Sequence, residues 1–218
     1  MKMKSLKLNI LLFVLLFITI ANAQSIDSLF INMPEDINPV LNRKSRMEML
    51  NNYKQSGNDS TVNSFLEKSV LLKYDSLSFH ILIKNTALSL FEMKKFKLGD
   101  QKEIIGIIRT FGDSLKSSNI TFYNTDWTIH QLKFELPDAK NWFNKNLLVN
   151  TNIDEKWAEN QLSTSFISLS FTGNDLNIEA KNNTYFYLSD ETKKTLKPFL
   201  TEEPIIFSYK ENKWVKAE

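Results

Sequence analysis

Cysteine is absent from this chain of 218 residues. Its absence excludes a disulfide framework, a thiolate nucleophile, a thiol-borne lipid anchor and any sulfur-ligated zinc or iron site. Glycine is scarce, five in all, and none falls in a phosphate-cradling loop or a dinucleotide fingerprint. Histidine occurs only at His80 and His130. The two do not form a His-x-x-x-His pair, so either could bind a metal only with carboxylate help, and each reads first as a polar strand residue. The stretches around Asp59 and Asp154 lack the acidic spacing of a calcium loop. Glu202 and Glu203 before Pro204 form a solvated loop without the context of acid–base work. No cofactor and no metal is expected.

One long apolar run stands at the start. "MKMKSLKLNILLFVLLFITIANAQ" places Lys2, Lys4 and Lys7 before an apolar stretch from Ile10 to Ile20 and then Ala21-Asn22-Ala23. A charged opening, a short greasy middle and small residues around a cleavable bond predict a signal peptide over residues 1–23, cut after Ala23. The stretch falls short of the roughly 20 apolar residues that span a bilayer, so no membrane span is expected after cleavage. This segment carries three lysines and no acid. Without it 27 basic residues fall to 24 against 25 acidic ones, a formal charge of −1. The clustered positive charge that a nucleic-acid partner requires is missing, and "EMKKFK" and "DETKKTLK" read as solvated faces. Export to the periplasm or cell surface is the expectation.

Apolar residues are plentiful: 42% of the chain is hydrophobic, with sixteen Phe and four Trp. A domain of that size without disulfides can bury a core. Residues 25–55 read as helical, with Asn42 as a cap ahead of Met47, Leu50 and Tyr53, and Ser45-x-x-Glu48 as an alternative capping box. "QSGNDST" then breaks the pattern.

From Ser69 to about Gln131 the period becomes two. Phe79, Ile81 and Ile83 share one face, while Ser78, His80 and Lys84 share the other with Leu82. Turns are expected at Asn85-Thr86, at "LGDQ" and at "GDSLKSSN", giving an antiparallel meander. In the second half "LPDAKNWFNKNLL" predicts a helix opened by Pro137, and "IDEKWAENQL" a further one. "SFISLSF", "LNIEA", "PIIFSY" and "KWVKA" follow as strands, with Ser189 capping "DETKKTLKPFL". The fold class is α+β: an antiparallel β-meander sheet with helices packed on one side, in a single module over 24–218. Two related helix-plus-hairpins halves, about 24–134 and 135–218, are a second way to divide it.

One short motif suggests chemistry. Gly112-Asp113-Ser114-Leu115 after an apolar run has the form that announces the nucleophile of a GDSL-type serine hydrolase, and "TGND" at Thr172 to Asp175 mimics two further elements of that site. A base must reach the serine hydroxyl, and no histidine follows "TGND". Ser114 therefore reads as a loop residue between two strands, with a hydrolase using Ser114 and His80 or His130 as the alternative. Asp126 beside Trp127, and Trp214 after a similar turn, offer a glycan platform, although a tryptophan there more often clamps a hairpin to its neighbour.

Two stretches carry a family likeness. "SLFINMPEDINPVLNRKSRMEML" and "IIGIIRTFGDSLKSSNITFYNTDW" resemble a secreted Bacteroidetes family known as domain of unknown function 3256, well over residues 25–130 and loosely beyond. The resemblance implies export in a Gram-negative cell and a loop of variable content at "GDS", which in relatives tends to hold a proline and here does not. It brings no catalytic residue. The expected function is a non-enzymatic binding module whose partner is another envelope protein or a glycan, met through the sheet face or the hairpin tips.

Overall fold

The structure, a computed structural model, describes residues 24–99, 102–149 and 151–217. The stretch read as a signal peptide lies outside them, as do Asp100 and Gln101 of the expected "LGDQ" turn. Two helices open the described chain: α1 over Ile26–Asn32 and α2 over Arg43–Ser56. The Ser25 hydroxyl caps α1 through the Ser28 N–H. Asn42 caps α2 by accepting from the Ser45 N–H at 2.9 Å, and Gly57 closes it with φ +71, a left-handed position that glycine takes without a Cβ penalty. The 25–55 region is thus two helices split at the Pro34 and Pro39 loop.

Six strands follow: β1 Ser60–Val62, β2 Lys68–Asp75, β3 His80–Thr86, β4 Ser89–Leu98, β5 Lys102–Phe111 and β6 Ser117–Asn124. They pair antiparallel in sequence order, as an open meander. After a helix α3 over Glu155–Gln161 come β7 Ile167–Thr172 and β8 Asn177–Asn182, a helix α4 over Asp190–Leu196, then β9 Ile205–Lys210 and β10 Lys213–Lys216. These last four strands form a second antiparallel sheet in the order β10-β9-β8-β7. The two parts of the chain therefore hold separate sheets.

The α+β meander with helices on one side stands, and its other side is covered too. Ile81, Ile83, Phe91, Met93, Ile105 and Ile107 pack against Leu29, Phe30, Met49 and Leu50 of the helices. Ile104, Ile108, Phe96 and Phe122 pack on the opposite face against Ile167, Leu169, Phe171 and Ile178 of the second sheet. Burying both faces explains why β4 and β5 are buried almost without alternation.

Three local expectations shift. The β3–β4 turn falls at Ala87-Leu88 instead of Asn85-Thr86, because Asn85 is a buried bracket: its amide pairs with Asn38, and its carbonyl accepts from Asn63 and Ser69. The "QSGNDST" break runs into the short strand β1. The helix expected after Pro137 is two short 3-10 turns, Ala139–Trp142 and Lys145–Leu148. Its backbone is taken by tertiary partners: Asn144 N–H donates to the Phe199 carbonyl, Thr201 N–H to that of Trp142, and Phe143 bridges Leu200.

The sheets approach each other most closely at Gly106. A Cβ there would lie 2.5 Å from Phe171 Cζ and 3.2 Å from the Phe96 ring, and those two rings pack edge to face at 5.0 Å. Gly106→Ala is expected to cost about 1–3 kcal/mol through overpacking. Urea denaturation would measure it, and an unchanged midpoint would mean that the rings yield freely.

Candidate functional site

The sequence candidates lie at different places. Ser114 is exposed in the β5–β6 turn. Gly112, with φ +106, has room for no side chain, since a Cβ would meet the Leu115 carbonyl at 2.4 Å. Its N–H donates to the Leu88 carbonyl, tying this turn to the β3–β4 turn. Phe111 pairs with Ser89, whereas His80 pairs with Lys94, five residues further along β4. At about 3.3 Å per residue, His80 lies on the order of 17 Å from the loop along the strands. His130 donates its N–H to the Phe122 carbonyl, and Phe122 pairs with Gly106, so this imidazole is as far away. The structure does not bring Ser114 to either histidine.

Each imidazole has its own local partner. His130 accepts the Leu132 N–H on Nδ1 at 3.0 Å, and burial followed by the nearby Lys102 charge holds its pKa below the usual imidazole value. His80 is buried between the sheets, with Nε2 2.6 Å from Glu92 Oε1. The same carboxylate oxygen accepts the Phe171 N–H at 3.1 Å. Lys94, fully buried beside them on the same face of β4, donates to the Gly173 carbonyl. Sequence alternation gave no hint of this cluster, since polar residues at those positions are equally suited to a solvated face.

Trp127 and Trp214 are half-buried in different cores. Trp127 packs with Tyr123 at 5.9 Å on the helix side. Trp214 stacks on Phe122 at 6.1 Å, meets Phe134 edge to face at 5.0 Å and donates its indole N–H to the Lys133 carbonyl, all on the second-sheet side. Asp126 is exposed and accepts the Thr128 N–H and hydroxyl, which hold its carboxyl below the usual range. The three do not line one surface. Among the described residues, no three His, Asp or Glu side chains gather as a metal site.

The concave features lie at the two ends of the sandwich. At one end the β1–β2, β3–β4 and β5–β6 turns come together with the Pro39 loop around an apolar groove of about 330 Å³, lined by Ile37, Pro39, Val40, Phe65, Leu88 and Phe111. Five large apolar side chains there, Val62, Phe65, Leu66, Leu88 and Phe111, are 54–89% exposed. Asn38 and Asn85 pair in its wall, and Arg109 is held to the Ile37 carbonyl at 2.9 Å. At the other end the β2–β3, β7–β8 and β9–β10 turns and the adjoining ends of β4 and β5 surround an open cleft of about 1560 Å³.

Helices, a six-stranded meander and a second four-stranded sheet define a three-layer α+β domain with one apolar end and one end of mixed character. The chain belongs to the family described as Protein of unknown function (DUF3256), whose model matches residues 18–214. A solved domain of an uncharacterized protein from Porphyromonas gingivalis W83 has the same fold. It is 18% identical, with a TM-score of 0.69 over 88% of this chain and 96% of that one. The comparison with curated proteins finds no match.

The buried Lys94 makes stability depend on pH. Burial, then repulsion from Lys73, lowers its pKa from the ordinary 10.5. Between that lowered value and 10.5 the unfolded chain holds more protons than the folded one, so unfolding free energy rises with pH across the window. The stability of the native chain relative to Lys94→Met is therefore expected to increase as pH rises through this range. Urea titrations at stepped pH would show it, and a flat difference would refute it.

Proposed function

We propose that this domain is an exported, non-enzymatic interaction module of the periplasm or cell surface that binds another envelope protein through its apolar end. The signal-like opening of the sequence supports export, and the near-neutral mature charge disfavours a polyanionic partner. One observation carries the binding reading: apolar side chains from three adjacent turns stand out around an apolar groove. Exposed apolar clusters of this kind mark interaction surfaces, and aromatic rims such as Phe65 and Phe111 are the usual anchors. The separation of Ser114 from both imidazoles supports the non-enzymatic side of the reading.

Two measurements test it. Mass spectrometry of the protein recovered from its own cell should show a chain that starts at Gln24, intact or cyclised to pyroglutamate, in the envelope fraction; intact Met1 in the cytoplasm would sink the export claim. A photo-crosslinking residue at Leu66 should capture one discrete envelope protein. Phe65→Asp with Phe111→Asp should abolish capture while leaving stability within about 1 kcal/mol, because both side chains are exposed. Undiminished capture by that variant, or ester turnover abolished by Ser114→Ala, would overturn the proposal.

A further inference from the structure

The open cleft at the end of mixed character stands on observations of its own. Three hairpin turns, β2–β3, β7–β8 and β9–β10, and the adjoining ends of β4 and β5 surround about 1560 Å³. That exceeds the roughly 300–1,000 Å³ of pockets that hold a drug-sized molecule, so the space suits an extended ligand.

Charge, backbone and side chains together narrow its chemistry. The lining holds four lysines and four carboxylates, and part of that charge is already engaged. Lys95 sits 2.9 Å from Glu103 and 4.0 Å over the Phe79 ring, while Asp75 accepts from the Leu77 N–H and from both the N–H and hydroxyl of Ser78. A balanced, partly self-paired lining provides no net field to select a polyanion or a polycation. None of the lining residues comes from an edge strand, β1, β6, β7 or β10. An extended peptide would therefore find no free ladder of backbone groups to pair with.

Beside the apolar Leu77, Phe79, Leu98 and Leu176, the cleft lining holds amide and hydroxyl residues and an aromatic one. Asn174, Asn177 and Asn212 lie near Ser208 and the half-buried Tyr209, whose ring is steadied by Trp214 at 5.2 Å. An amide donates and accepts at once, which matches the paired donors and acceptors of neighbouring sugar hydroxyls. An apolar aromatic surface with a polar tip suits the C–H face of a pyranose.

We propose that this cleft is a binding site for a neutral oligosaccharide. It is separate from the apolar end, so one protein can hold a glycan at one pole and an envelope protein at the other. The mature chain is titrated calorimetrically with maltohexaose, cellohexaose, xylohexaose and mannohexaose. At least one is expected to bind saturably, with an affinity that changes less than about twofold between about 50 and 500 mM salt, because uncharged contacts are not screened. Asn174→Ala with Asn177→Ala should weaken binding at least about tenfold, and amide shifts in the native chain should map to the residues that line the cleft. Phe65→Asp with Phe111→Asp should bind the hexaose as the native chain does, so the two readings fail independently. Binding of none of the four, undiminished binding by the double amide variant, or a preference for a sulfated hexasaccharide that fades with salt would overturn the proposal.

Discussion

The Glu92 carboxylate fixes how the two sheets meet. It lies in the middle of β4, buried, and one of its oxygens receives both the His80 imidazole and the backbone N–H of Phe171 in β7. That N–H lies on the edge of the second sheet, where no strand pairs with it. Buried and unpaired, it would cost about 1–3 kcal/mol. Ser118 does the same for the next edge amide, accepting the Leu169 N–H at 2.9 Å while bonded to Thr110 at 2.6 Å. Two side chains of the first sheet thus complete the hydrogen bonding of the second, and they set its register. With β7 so placed, the Phe171 ring reaches the space that Gly106 leaves empty.

On the helix side Arg46 plays the corresponding part. Fully buried, its guanidinium donates to the carbonyls of Leu41, Ile31 and Met33. The last two lie at the C-terminal end of α1, where helical carbonyls have no partner and favour a cation. One side chain therefore closes α1, shapes the proline loop and anchors α2, at the cost of a desolvated charge whose pKa burial lowers. The apolar end inherits its form from this loop, since Ile37, Pro39 and Val40 wall its groove.

Elements whose cause is local were legible in the sequence. The Asn42 and Ser189 caps, the alternation of Ile167, Leu169 and Phe171, and the polar turn at Gly112 each depend on a few neighbouring residues, and each lies where the pattern puts it. The misplaced features depend on distant partners. Asn85 looks like a turn residue until Asn38, Asn63 and Ser69 surround it. "DAKNWFNKNLL" has helical spacing, but the Phe199 carbonyl and the Thr201 N–H take up its backbone groups at Asn144 and Trp142. The stretch "EIIGIIRTF" reads as one strand of the meander, with helices expected on one side only. What would cover the second face was not legible, because period two specifies that a face is buried and not by what. The same limit hid the inter-sheet cluster of His80, Glu92 and Lys94. The "GDS" motif misleads for a related reason: its glycine is demanded by a left-handed backbone and by the Leu88 carbonyl it donates to, and the serine follows in an exposed turn.

The same packing limits where such a domain can meet anything else. The helices cover one face of the large sheet and the second sheet covers β4 to β6 on the other, leaving Leu72 of β2 and Lys84 of β3 exposed. Its edges are largely occupied as well: the segment around Ile129 and His130 runs beside β6, and the Val62 carbonyl at the short β1 edge accepts from Ser45. In the second sheet β7 is satisfied by Ser118 and Glu92, while β10 is flanked by exposed Lys213 and Lys216, charges that discourage strand addition. The poles stay open as well, and a meander sends alternate turns to opposite poles. Three turns of the large sheet carry Phe65, Leu66, Leu88 and Phe111 to one pole. The β2–β3 turn and the far ends of β4 and β5 join the tips of the second sheet to make the larger cleft. The difference in character between the two poles is therefore written into odd- and even-numbered turns of one continuous chain, and a single fold can carry two unlike surfaces without either disturbing the core between them.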